Sequence, residues 1–551
     1  MSRKVDIVFD RYYTYGELTA YLQSVSTEYP TLTHLECIGK SHEGRDIWAI
    51  TVTNQATGCA DEKPALYVEG NIHAGEVTAS QTVLCLIDML VSGYGDDALI
   101  TRLLDTRAFY IVPRVNPDGA EMYLTTPATL RSSTRPWPEP DIAEWPGLHP
   151  EDIDGNGFIL QMRVRDDKKG EWKKSHFDSR VMIPRQAGDF GGEYYRLLPE
   201  GLITDFEGEP FPIIRSPFGL DMNRNFPSNW DPSLGTGGDY PTSEPEVRAV
   251  VEFISSHRNI GLVNSFHTSG GFFFRNPYQY GDDRIDQADL KAIRDVAREG
   301  TKVTGYPDVK SSNRACLPEW MYEHHGVIGY TTELWDRMGQ AGISKAEAAA
   351  ATDDEKREEL QIRLMQWNDR ALSGTGFFPW TAFDHPQLGC VEIGGWNPKF
   401  GMQNPPHFLL PAECYKNANW AIRQAACLPE VEIHSVKQEQ LEEGIWQITV
   451  YVQNNGFLQT AITNKALAIR AVKPDFVCVA GAEVVNGPAK KEVGHLQGFF
   501  NAHTSSYGGG VAQSAGRATW IVKGAVGQEI TITLTSQRGG VKREVVTLLA
   551  Q

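Results

Sequence analysis

Residues 64–80, PALYVEGNIHAGEVTAS, carry a histidine and a glutamate three positions apart, His73 and Glu76, where an apolar strand-like run turns into a helical pattern. Both side chains can converge there on one ion, and imidazole with carboxylate is a donor set that suits zinc. Such a pair is common on surfaces and gains meaning only with a third ligand. The segment GLVNSFHTSGG provides one in His267, where another apolar strand runs into a turn of small residues. That is the edge of the sheet at which α/β proteins build their sites. Three protein ligands leave a position open for water, whose pKa then falls toward ~7. The implied chemistry is hydrolysis, which needs a carboxylate to take the proton. Glu333 ends the apolar run in IGYTTELWD, where a buried carboxylate is costly unless it faces a polar cleft. Glu392, in GCVEIGG, sits in a comparable strand and is the rival base.

The elements that must hold these residues follow from periodicity. Strand-like runs at 46–53, 64–71, 108–113, 261–267 and 327–334 alternate with helical patterns at 76–92, 244–258 and 285–304. Pro245 suits the first turn of its helix. This alternation predicts an α/β fold, a mixed and largely parallel sheet flanked by helices. Two stretches break the rhythm and read as insertions: 134–217, rich in Pro, Gly and charge, and 336–380, whose run KAEAAAATDDEKREELQIRLMQW predicts a surface helix. From about 430 the texture changes to short segments such as IWQITVYVQ, ALAIRAV and EITITLTS between turn residues, predicting an all-β sandwich. A chain of 551 residues exceeds one ordinary core. The expected division is a catalytic domain over 1–428 and an accessory domain over 429–551.

The order of HAGE, DMNRNF, SFHTS and TTELWD resembles that of the zinc carboxypeptidases similar to carboxypeptidase A, over roughly residues 10–335, and IGKSHEGRDIWAI is similar to the family's opening strand pair. The resemblance implies one zinc ion held by His73, Glu76 and His267, with Glu333 as general base. It also implies a peptide substrate with a free C-terminal carboxylate. Asn223 and Arg224, in LDMNRNFPSNW, pair an amide donor with a guanidinium fork suited to that carboxylate, and the resemblance gives them that role. Arg131, in TTPATLRSS after the PRVNPDG of Asn116, is implied to polarise the scissile carbonyl, with Arg135 as its competitor. Related zinc amidases, acyl-amino-acid hydrolases and cell-wall peptide hydrolases share this chemistry. A catalytically inactive binding protein is the reading from another class.

The chain departs from the family where Gly75 replaces the usual Arg, removing a cation from the cleft. The position expected for a mobile Tyr falls on Ser311, leaving Tyr306, Lys310, Arg314 and Arg275 as candidates, and Pro318 near the selectivity position indicates no basic-specific pocket. In the first insertion, EDIDGNGFILQMR places Asp152, Asp154, Asn156 and Gly157 like half of a calcium loop, but Arg163 stands at the twelfth position, so a turn is the better reading. A net charge of −18 argues against nucleic-acid and anionic-membrane partners. Eight scattered cysteines without a C-x-x-C pair, and no apolar stretch of signal or membrane-span length, lead to the expectation of a soluble, cytoplasmic protein with reduced thiols.

Overall fold

A computed structural model describes residues 3–208, 210–501 and 514–549. Its centre is an eight-stranded mixed sheet, in the order Thr33–Lys40, Asp46–Val52, Ala108–Val112, Ala65–Gly70, Ile260–Thr268, Ile328–Leu334, Phe272–Arg275, Asp308–Lys310. The four strands in the middle, from Ala108–Val112 to Ile328–Leu334, run parallel to their neighbours among these four. Their sequences are near-continuous apolar runs, interrupted by Glu69, Asn264, His267 and Glu333, because both faces are covered. All nine residues of Ile260–Thr268 are buried.

Alternation along the strands divides the interior into two cores. Leu66, Val68, Phe109 and Ile111 face the helices Val77–Gly93, Gln287–Thr304 and Leu410–Ala426. Ala65, Tyr67, Ala108 and Tyr110 face Pro245–Ser256 and Leu317–His325. Pro245 does occupy the first turn of its helix. The helix expected over 285–304 begins at Gln287 because the Asp286 carboxylate accepts from the backbone of Ala288 and Asp289, and it ends at Gly305 in the left-handed region.

The two insertions are not independent excursions. Strands Gln161–Arg165, Tyr195–Pro199, Trp172–Lys174 and Met182–Pro184 of the first join Phe377–His385 and Gly389–Trp396 in one six-stranded sheet. The Ala- and Glu-rich run forms two helices, Lys345–Ala350 and Asp354–Ala371, because the Asp353 carboxylate caps the second. Leu360, Leu364 and Met365 turn inward from that second helix, so its surface is only partly solvated.

After residue 430 the chain is all-β in its main elements. Two four-stranded antiparallel sheets share a core that includes Trp446, Ile448, Trp520, Val477, Ile532 and Leu534. IWQITVYVQ and EITITLTS are strands, whereas ALAIRAV is not. Its first residues lie in the short helix Asn464–Ala468, whose cap is the Thr463 hydroxyl. The backbone N–H groups of Asn464 and Lys465 donate to the Asp289 carboxylate of the α/β region, at 2.6 and 3.0 Å. This docking overrides the alternating pattern. The eight cysteines are unpaired, and no helix among the described residues is long and apolar enough to cross a membrane.

Candidate metal centre and substrate cleft

His73, Glu76, His267 and Glu333 all stand at or just beyond the carboxyl ends of three adjacent parallel strands. The turn after Ala65–Gly70 is made by Asn71, with φ of +61°, a conformation Asn tolerates better than most residues. Its side-chain amide donates to the carbonyls of His73 and Ala74 and its carbonyl accepts from the Ser80 hydroxyl, which fixes the HAGE segment. His267 lies near the end of Ile260–Thr268, in direct register with Glu333 of the neighbouring strand.

The Nδ1 atoms of His73 and His267 are 3.1 Å apart. Glu76 Oε1 lies 2.9 Å from the first and Oε2 2.7 Å from the second. All three residues are buried, and each offers a ligand atom within 4.8 Å of the others. Glu76 Oε2 is nevertheless without a hydrogen bond, since closeness without alignment is not one. A proton can satisfy one pair of these converging lone pairs, whereas a cation satisfies the whole group. Two imidazoles and a carboxylate fit zinc in particular. Burial opposes the charge of Glu76, yet the two imidazoles hold its carboxyl far below the usual carboxylate range.

Both imidazoles are held from behind. His73 Nε2 lies 3.0 Å from Asp221 Oδ1, and His267 Nε2 lies 3.1 Å from the Ser265 hydroxyl, which donates to Glu69. Such partners orient the rings and raise ligand basicity. Asp221 had no role assigned from sequence, although it opens the quoted DMNRNF. Its other oxygen accepts from Arg131 Nε at 3.1 Å. The Arg131 segment is pinned by backbone and side chains: Asn116 donates to the Ser132 carbonyl, and the Ser132 hydroxyl donates to Ile72. With a side chain 44% exposed, and one guanidinium nitrogen 3.7 Å from Glu76, Arg131 faces the cleft. Arg135 does not, being bound through two nitrogens to Glu244.

Glu333 Oε2 is buried and has no hydrogen-bond partner. Burial, and after it the negative charge of Glu76, push the Glu333 carboxyl up to about 8 against the pull of His73 and Arg131. Glu392 is elsewhere, in the six-stranded sheet, forming a two-pronged ion pair with Arg163 at 2.7 and 2.9 Å. That pair keeps its carboxylate away from the His73–Glu76–His267 group and explains why an Arg occupies the last position of the calcium-like segment. There, Asp152 accepts from the backbone of Gly155, Asn156 and Gly157, Glu200 accepts from Ile153, Asp154 and Leu160, and Asp152, Asp154 and Glu200 each offer an oxygen within 4.8 Å of the others.

Asn223 and Arg224 share a short 3-10 turn capped by Asp221. Arg224 donates to the Asn223 carbonyl at 2.6 Å and to Asn313 Oδ1 at 2.9 Å. Both partners are neutral, and no ion pair of Arg224 occurs among the described residues. Gly75 is accounted for by crowding: a Cβ there would meet Gln403 at 2.4 Å and Tyr123 at 2.7 Å. Of the candidates for the mobile Tyr, Tyr306 is buried on Glu413 and Arg275 is paired with Asp282 and Asp308. Lys310 and Arg314 are exposed.

Residues 18–358 match the family described as zinc carboxypeptidase, more than half of the chain, and the protein therefore belongs to that family. Residues 430–547 match a domain of unknown function. Mouse carboxypeptidase M is 38% identical over 111 residues, covering 20% of this chain and 25% of that protein. Carboxypeptidase B of Astacus astacus is 37% identical over 108 residues, covering 20% and 33%. The matched segments thus span a third or less of these relatives. Among solved structures, thrombin activatable fibrinolysis inhibitor aligns over 76% of this chain and 74% of its own, at 18% identity and a TM-score of 0.41.

Proposed function

We propose that the protein is a zinc-dependent carboxypeptidase that removes the C-terminal residue of a peptide. His73, Glu76 and His267 would hold the metal. When bound, zinc supplies a Lewis-acid centre and lowers the pKa of a water toward ~7. Glu333 takes the proton of the attacking water at its unpartnered Oε2 and passes it to the leaving amine. Arg131, steadied by Asp221, polarises the scissile carbonyl and offsets charge developing on its oxygen. Asn223 and Arg224 bind the terminal carboxylate.

The observation that carries this reading is the guanidinium of Arg224, held by two neutral oxygens and, among the described residues, paired with no carboxylate, three residues beyond the Asp221 that supports His73. Its charge remains available for a substrate anion. Digestion of N-acetylated peptides by the zinc-loaded protein, with mass spectrometry of both product ends, tests it. Single residues should leave the C-terminus, and chelation should stop the release. Internal cuts alone would replace the exopeptidase reading with an endopeptidase one.

A further inference from the structure

The cleft at Glu76 and Arg131 continues, over about 400 Å³, past Thr268, Ser269 and Gly270 to Asp336, Arg337 and Lys345. Three cations line it, and two are already neutralised. Arg131 lies on Asp221, and Lys345 donates to Asp336 at 2.7 Å. Arg337 has neither an ion pair nor a side-chain hydrogen bond among the described residues, and one of its guanidinium nitrogens is buried without a partner. Its planar group packs over the Trp396 ring at 5.4 Å, so the end of strand Gly389–Trp396 covers one face and fixes its direction. A buried cation with no counter-charge is unfavourable and is relieved when an anion arrives.

Asn223 and Arg224 do not line this part of the cleft. If they take the terminal carboxylate, as proposed above, the arm that runs from Glu76 and Arg131 toward Arg337 receives the other side of the scissile bond. We infer that Arg337 binds a carboxylate on the acyl side of that bond, and that the protein prefers peptides whose penultimate residue is acidic. The guanidinium fork matches such a group through two parallel hydrogen bonds. No residue of the HAGE, SFHTS or DMNRNF motifs supplies this contact.

The test uses the zinc-loaded full chain and N-acetylated peptides differing only at the penultimate residue (Glu, Gln or Lys), each with a free or amidated C-terminus. kcat/KM is read from release of the terminal residue. Wild type should favour Glu over Gln by about ten-fold or more, the effect of one charge-assisted pair. Arg337→Gln should bring that ratio to within about two-fold of unity, Arg337→Lys should retain part of it, and Arg337→Glu should turn the preference toward Lys. A wild-type ratio near one, or one that survives in Arg337→Gln, overturns the inference while leaving the exopeptidase reading intact. Loss of the acid-over-amide preference in Arg337→Gln also overturns it, because Arg337 would then be the terminal clamp. Failure of every peptide to release its terminal residue overturns both readings.

Discussion

His267 and Glu333 are register partners on adjacent parallel strands. Strands lie about 4.8 Å apart and partners point to the same side, so the spacing of the proposed metal ligand and the proposed proton acceptor is set by sheet hydrogen bonds. Loop motion that reshapes the cleft need not disturb it. On this account Glu333→Gln keeps its fold and its zinc and loses at least ~10²-fold in kcat. Single-turnover rates with parallel metal analysis check this, and a variant with near-wild-type kcat contradicts it.

Glu392→Gln separates the two glutamates. It should leave kcat near that of wild type, since its carboxylate serves Arg163. Arg163 is 6% exposed at its side chain and loses its charged partner, at a cost of about 1.5–3 kcal/mol. Urea denaturation measures the loss. A stable variant with collapsed turnover would return the base role to Glu392.

Zinc content should depend on each imidazole. His73→Ala and His267→Ala leave two ligands and should not retain stoichiometric metal through dialysis. Asp221→Asn keeps all three ligands but weakens the hold on His73, and a 10- to 100-fold loss of affinity, roughly, is expected. Competition with a chromophoric chelator gives the affinities. Unchanged zinc in either His variant would refute the ligand set.

A pH effect on stability is expected at the contact between the α/β and all-β regions. Burial first, then Arg538 and Arg258, push His325 down to about 4 from 6.5, and Arg538 donates to the His325 carbonyl at 2.7 Å. The folded state therefore holds this ring neutral, while the unfolded chain binds a proton below 6.5. Its contribution is full above pH 6.5 and is lost as pH falls toward and through 4. Thermal midpoints should drop less steeply over that window in His325→Gln than in wild type. Parallel slopes would rule out His325 as a source.

How much was legible in the sequence varies with the range of the interaction. The strand carrying His267 was, because burial on both faces favours a largely apolar run, and Ile260–Thr268 is one but for Asn264 and His267. The His73–Glu76 pair was, because three residues of spacing is a local property. The six-stranded sheet was not, since pairing Arg163 of the first insertion with Glu392 depends on residues 229 positions apart. The helix at Asn464 was not, since an acceptor at Asp289 decides it. Asp221 stood inside a recognised motif, yet its role emerges only when the chain brings it behind His73. Arg337 carried no signal, because its lack of an ion pair among the described residues is a property of three-dimensional surroundings.

The most direct measurement compares kcat/KM of zinc-loaded wild type and Arg224→Ala on one peptide prepared as the free acid and as the C-terminal amide. Truncating one partner of a buried, hydrogen-bonded charge pair costs ~2–5 kcal/mol, and amidation removes the same contact from the substrate side. Wild type should therefore cleave the acid far faster than the amide. Arg224→Ala should be slow on both, the two losses failing to add because they delete halves of one contact. Equal wild-type rates on acid and amide would contradict the carboxypeptidase account.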